Sequence, residues 1–307
     1  MPMAGLGCLT ACRFIRKLRG GSQPVLIEAS DGAYYVLKFR NNPQGANVLF
    51  NDSAGTELFS ACGLSVAPWK PVVVTASFVD RNPGCWMEAP YEMLRPEPGL
   101  CFGSLFLGSQ GRRLLEILPG NSYMRVRNRV SFWFAWLLDI CCENADNRQA
   151  VFQQSADGSL DACFIDMGHF LGGPKGNLNP HFLAAGYLDR RIYPDVTSNQ
   201  VLEILQVVRE LDIERLWRQL RATPAEWQRP SALISLERSL KRIGDLALLQ
   251  GILEAMLGRH QERGESEPDT TWASNSNLRA ILYARLRAAR TGGTDHLAPR
   301  PAFGACR

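Results

Sequence analysis

"PVLIEAS" and "AYYVLKF" are largely apolar, β-rich runs, and the dipeptide Asp31-Gly32 between them reads as a hairpin turn. "NNPQG" follows as a turn. "NDSAGTELFSACGL" then reads as a short helix that Asn51, Asp52 or Ser53 caps and Gly63 ends. "KPVVVTASFV" and "CWMEAPYEML" have the composition of two more strands. The first stretch therefore predicts a small antiparallel sheet carrying one helix.

Past "RPEPG" the period changes. Pro96, Pro98 and Gly99 read as a linker, and helix-compatible runs cover 114–118, 126–142, 194–208 and 213–221. The run from Ser231 to Leu257 has helical spacing broken at Gly244. "AVFQQSADGSLDACFIDMG" is the exception, a hairpin with Asp157-Gly158 at its turn. After His260 the chain turns polar, with one basic amphipathic run, "NLRAILYARLRAAR". The expected fold class is α+β: a β-rich nucleotide-binding lobe over 1–95, a helical catalytic lobe over 96–259, and a polar linker, terminal helix and tail over 260–307.

Composition narrows the function classes. The chain has 307 residues, 46% of them hydrophobic, enough for one large core or two moderate ones. A net charge of +4 is too small and too dispersed to argue for direct nucleic-acid binding. No CxxC pair occurs among the nine cysteines, which implies reduced thiols. The most apolar run, 130–142, is too short for a membrane span and is interrupted by Asp139. The basic cluster near the N-terminus follows the small apolar residues, the reverse of a secretory signal. A cytoplasmic protein without a membrane partner is expected.

Phosphoryl transfer from ATP needs a lysine on the phosphates, oxygen ligands for Mg²⁺, an orienting carboxylate and a backbone cover. Each has a candidate, in kinase order. Alternation along "AYYVLK" sends Tyr35, Leu37 and Phe39 to one face and Val36 and Lys38 to the other; an inward lysine calls for an anion. Gly20, Gly21 and Ser22 lie in a loop that can turn backbone N–H groups toward phosphate, although they lack GxGxxG spacing. Asp52 and Glu57 follow on the helix, where a carboxylate can orient Lys38 or cap. Asp146 follows the apolar helix, with Asn144, Arg148 and Gln149 beside it. It reads either as a helix-end turn or as the group that orients an acceptor hydroxyl, with a neighbouring amide on Mg²⁺. Asp166 ends an apolar run before Met167-Gly168, as a metal ligand or an Asx turn. His169 beside it reads as structural.

"VLKFRNNPQGANVLFND", "LFSACGLSVAP", "PGLCFGSLF", "NADNRQAVF" and "FIDMGHFLGG" resemble the signature blocks of the HipA-like kinases, in the branch lacking the toxins' extra N-terminal domain. They span about residues 15 to 175, and the helical region to about 258 fits that family's C-terminal part. The resemblance implies a two-lobed protein-kinase-like fold and ATP- and Mg²⁺-dependent phosphorylation of Ser/Thr in a protein substrate. By position it makes Lys38 the phosphate lysine, Asp146 the catalytic aspartate and Asp166 the metal aspartate of an Asp-Met-Gly triplet. The chain departs from the pattern at three places. Asp52 replaces a longer Glu, Asn147 stands where Arg is common, and Val151 stands where a metal-binding Asn is expected, which leaves Gln149 as the nearest amide. The alternatives are a nucleotide-binding scaffold without turnover, a small-molecule kinase and a nucleotidyl transferase.

Overall fold

The computed structural model describes residues 7–109, 113–176 and 186–263. The chain begins with β1 (Leu9–Lys17), β2 (Val25–Ala29) and β3 (Tyr34–Lys38), then α1 (Val48–Ala61), β4 (Trp69–Val74) and α2 (Ala76–Arg81). A two-residue ladder, β5 (Met87–Glu88) with β6 (Met93–Leu94), precedes β7 (Gly99–Leu105) and β8 (Arg113–Leu115). Next come α3 (Ser131–Cys141), β9 (Gln149–Gln154) and β10 (Leu160–Ile165). Four helices end the described residues: α4 (Ser198–Arg209), α5 (Ile213–Arg221), α6 (Pro230–Ile243) and α7 (Leu246–Arg263).

The first sheet closes on itself in the order β1-β2-β3-β7-β4, and a short parallel pairing of Leu9 and Thr10 with Val72 and Val73 joins its ends. Closure leaves no unpaired edge, and the inward side chains form their own core, with Ile27, Leu37, Phe39, Val72 and Cys101 fully covered. The residues expected as a linker do not end this sheet. Beyond Pro96 and Pro98 the chain re-enters it as β7, which pairs with β3 on one side and β4 on the other.

Other expectations change for local reasons. The run "KPVVVTASFV" splits at Thr75, whose hydroxyl accepts the Phe78 N–H and starts α2, so only Trp69–Val74 is strand. Residues 114–118 begin as strand β8, because Leu114 and Leu115 pair with Gln153 and Phe152 on β9. Asn51, Asp52 and Ser53 do not cap α1. Asn47 occupies that position, and the three residues are buried within the helix. α7 runs on to Arg263, past the point where a linker was expected, and the basic run 277–290 lies outside the described residues. The break at Gly244 and the hairpin with Gly158 at its turn occur as the pattern requires.

The largest core lies under α1, α3, the β9–β10 hairpin and the terminal helices. Phe132 of α3 sits at its aromatic centre, packed edge-on to Phe164, Tyr187 and Tyr193 and stacked on Phe152. No described helix is long and apolar enough to cross a membrane. Phe132→Ala is expected to cost about 3–5 kcal/mol, the usual range for emptying a buried aromatic site. The shift in urea midpoint of the purified variant measures it.

Candidate active site

Lys38 closes β3 with the alternation the sequence predicts. Tyr35, Leu37 and Phe39 enter the barrel core, while Val36 and Lys38 line a cavity of about 990 Å³. The Lys38 Nζ donates to Asp52 Oδ2 and to Asp166 Oδ1, both at 2.8 Å. Asp52 comes from the buried face of α1, and its other oxygen accepts the Met167 N–H at 2.9 Å. The shorter acid thus does reach the lysine, because α1 packs directly against the loop after β10. Two glycines permit this approach. A Cβ on Gly55 would lie 2.5 Å from the Met167 Cβ, and one on Gly168 would lie 3.1 Å from Asp52 Oδ2.

Charge follows from that geometry. Burial works against the Lys38 ammonium, but the Asp166 and Asp52 carboxylates outweigh it and hold its pKa above the ordinary value. Burial pushes Asp52 up to about 6, because Lys38 is shared with Asp166 and cannot fully offset the loss of water. For Asp166 burial also opposes ionisation, yet Lys38, with His169 and Arg148 nearby, lowers the net value.

Asp146 and Asp166 come to one cavity because both flank the open end of one hairpin. β9 begins three residues after Asp146, and β10 ends one residue before Asp166, with Gln149 opposite Ile165. Three backbone bonds then join the two loops: Ala145 N–H to His169 O, Leu171 N–H to Cys142 O, and Gly172 N–H to Glu143 O, at 2.8–3.2 Å. Glu143, Asp166 and Leu171 all adopt left-handed backbone, with φ of +52° to +56°. Such conformations cost about 1–3 kcal/mol each and persist where the surroundings fix them. Asp146 lines the same cavity as Lys38 and Asp166.

Three supporting residues have little sequence signature. Asn51 of α1 directs its Nδ2 at the carbonyls of Gly168, Phe170 and Gly173, at 2.6–3.2 Å. Asp139 and Arg148 form a buried ion pair at 3.1 Å. Asn144 bonds to Asp139 at 2.9 Å, and Arg148 also donates to Ile165 O at 3.0 Å. The Arg148 guanidinium lies 5.2 Å from the ring centres of both Phe59 and Phe170. A lone carboxylate in the apolar run "SFWFAWLLDI" was the available clue to Asp139, since an unpaired buried charge is too costly to keep.

Other expected residues stand elsewhere. Glu57 does not approach Lys38; its carboxylate accepts the Trp69 indole N–H at 2.9 Å. Gly20, Gly21 and Ser22 do not line the cavity, which is bordered there by Leu18, Arg19 and Pro24. Ser22 is buried, and its carbonyl accepts a bond from Asn42. Val151 joins Ala67, Leu107 and Cys163 in a small apolar cluster, and Val151, Ala67 and Leu107 form part of the cavity wall. Gln149 is exposed and points its Nε2 at Asp146 Oδ2, at 3.4 Å. Among the described residues no three His, Cys, Asp or Glu side chains cluster as a ready metal cage.

No family model and no curated protein matches the chain. Its fold is similar to that of the Helicobacter pylori proinflammatory kinase CtkA, with a TM-score of 0.53 at 12% identity; 80% of this chain covers 97% of that one. Hydra Fam20 with sugar aligns at 0.48 and 11% identity, over 85% of this chain and 87% of that one. The Golgi casein kinase with Mn/ADP bound aligns at 0.45 and 12%, over 85% and 75%. The chain therefore has a kinase-like fold of mixed α and β content.

Two outcomes are expected from this geometry. Asp52 holds its proton more tightly folded than at the ordinary 3.8, so its contribution makes stability fall as pH rises between about 4 and 6. Asp166, lowered instead, acts in the opposite sense below that window. Urea midpoints from pH 4 to 7 are expected to show a negative slope component that Asp52→Asn removes. Asn51→Leu strips the donors from three buried carbonyls and is expected to destabilise the protein by about 1–3 kcal/mol. In hydrogen exchange the earliest loss of protection should fall at Leu171 and Gly172.

Proposed function

We propose that this protein is an ATP- and Mg²⁺-dependent phosphotransferase of the HipA-like kinase type, acting on Ser/Thr hydroxyls of a protein substrate. One observation carries the reading: Lys38 is held at 2.8 Å by both a helix carboxylate and Asp166, in a cavity that also contains Asp146. The five sequence blocks that resemble the HipA-like kinases supply the family, and the kinase-like fold agrees with it.

The cavity has an apolar part and a charged part. Val36, Ala67, Leu107 and Val151 offer the flat apolar walls that a purine needs, and Lys38 lies beyond them for the phosphates. Asp166 Oδ1 is taken by Lys38, while no hydrogen bond reaches its Oδ2 among the described residues. An ionised carboxylate with one open oxygen suits Mg²⁺, which characteristically takes one or two carboxylates and completes its shell with phosphate and water. Asp166 would hold the ion, with Gln149 the nearest amide. When bound, Mg²⁺ neutralises charge on the phosphate oxygens.

Asp146 supplies the remaining role. Its Oδ1 is fixed by the Asn147 N–H at 2.7 Å, and its own N–H is held by Asn144 Oδ1 at 3.2 Å, so the carboxylate is oriented before an acceptor arrives. It accepts the proton of the acceptor hydroxyl as the hydroxyl oxygen bonds to the γ-phosphorus. The bond from that phosphorus to the β–γ bridging oxygen breaks, and ADP leaves with the electron pair. Lys38 meets the charge that develops on the phosphates.

Incubation with ATP labelled at the γ or the α phosphate, followed by mass spectrometry, tests this. Transfer of γ label is expected, and Asp146→Ala and Asp166→Ala should each lower the rate by a factor of about 10²–10⁴. Transfer of α label would establish nucleotidylation instead. The second reading, a nucleotide-binding scaffold, is favoured by Val151 standing where a metal-binding Asn is expected, and predicts a thermal shift with Mg·ATP but no label transfer.

A further inference from the structure

The cavity is at the upper end of the roughly 300–1,000 Å³ typical of small-molecule sites, and the nucleotide reading leaves its outer part without an occupant. That outer part is bordered by Glu116 and Ile117, just after β8, and by Leu188, just after the segment that pairs Tyr187 with Arg148. Ile117 is 81% exposed and Leu188 69% exposed. A single exposed aliphatic residue is ordinary, but here two from distant parts of the chain flank one opening that also holds Asp146.

The charges round the opening are sorted. Arg16 and Arg19, from β1 and the loop after it, are exposed, and among the described residues no carboxylate lies within ion-pair distance of either. Among the described residues neither Glu116, which is exposed, nor Asp146 has an ion-pair partner. The third rim acid, Asp189, is already neutralised by Arg191 at 2.8 Å. The β1 side thus offers cations, fitting a polyphosphate. The side bearing Ile117 and Leu188 offers apolar surface and one free carboxylate.

We infer that the outer part of the cavity is an acceptor subsite for a polypeptide segment, in which Ile117 and Leu188 receive an apolar side chain beside the acceptor hydroxyl and Glu116 pairs with a neighbouring Lys or Arg. This rests on the phosphotransferase reading and adds the acceptor's chemistry to it. An open apolar rim suits a segment laid across it, whereas a small polar acceptor would be expected to be enclosed by hydrogen-bonding groups. Glu116 provides register more than affinity, because an exposed ion pair is weak but repels the wrong charge.

Fluorescence anisotropy with serine-centred peptides, in the presence of Mg²⁺ and a non-hydrolysable ATP analogue, reads the subsite without requiring turnover. Peptides with an apolar neighbour and a basic residue are expected to bind about tenfold more tightly than acidic or fully polar ones. Ile117→Ser with Leu188→Ser should abolish the apolar preference, and Glu116→Arg should reverse the charge preference. The thermal shift given by the ATP analogue should stay unchanged in both variants. Equal binding of all peptides, or no binding of any, overturns the subsite, as does a parallel loss of nucleotide binding. Selective binding without γ-label transfer under ATP would sink the phosphotransferase reading and keep the subsite; transfer to water or to free serine with no peptide selectivity would do the reverse.

Discussion

Almost everything at this site depends on one lysine shared by a buried carboxylate and a partly exposed one. With both acids ionised, the Lys38, Asp52 and Asp166 trio carries one surplus negative charge, two of its members buried and Asp166 facing the cavity. Burial raises Asp52, and the neighbouring Asp166 charge adds to the effect while Lys38 opposes it. Three elements far apart in sequence are held by this contact: the end of β3, the middle of α1 and the loop after β10. Moving β3 would leave Asp52 buried without its counter-charge.

The second constraint is the set of backbone bonds that holds the Asp146 loop against the 169–172 loop. A hairpin alone would bring the two aspartates close without fixing their orientation. The left-handed conformations at Glu143, Asp166 and Leu171 aim the side chains, and a surrounding set of polar contacts maintains them. Arg242 donates to Glu143 at 2.5 Å and to the Cys141 carbonyl at 3.0 Å, so α6 takes part from outside the site. Arg148 does the same from within, joining the end of α3 to the end of β10 and stacking between two rings. The arrangement is rigid in the sense that the fold itself fixes its polar groups.

Local pattern carried the parts of this that are local. Period two in "AYYVLK" placed Lys38 on the cavity side, and the order of lysine, helix acid and two late aspartates named the groups now seen around the cavity. Pattern failed where a residue's role is set by something distant. Asp52 resembles a helix cap until Met167, 115 residues later, supplies the partner that defines it. Val151 seemed misplaced in a metal site until strand pairing with Cys163 put it in an apolar wall. Glu57 had suitable chemistry on a suitable helix, and only the position of Trp69 shows which way it faces. The prolines before β7 punctuate the chain as a linker would, because sequence shows a break in pattern and not whether the chain then returns to the same sheet.

The closed barrel and the trio it serves are completed at different stages of synthesis. All five barrel strands lie before residue 106, so the sheet can close and the Lys38–Asp52 pair can form soon after that segment leaves the ribosome. Asp166 follows Lys38 by 128 residues. At an elongation rate of about 5–20 residues per second, its arrival lags barrel closure by several seconds. During that interval the nascent chain carries a lysine neutralised by its helix partner and no second aspartate. A chain truncated before β10 would therefore fold its barrel and still lack the second carboxylate of Lys38, so the cavity is completed only by the later hairpin.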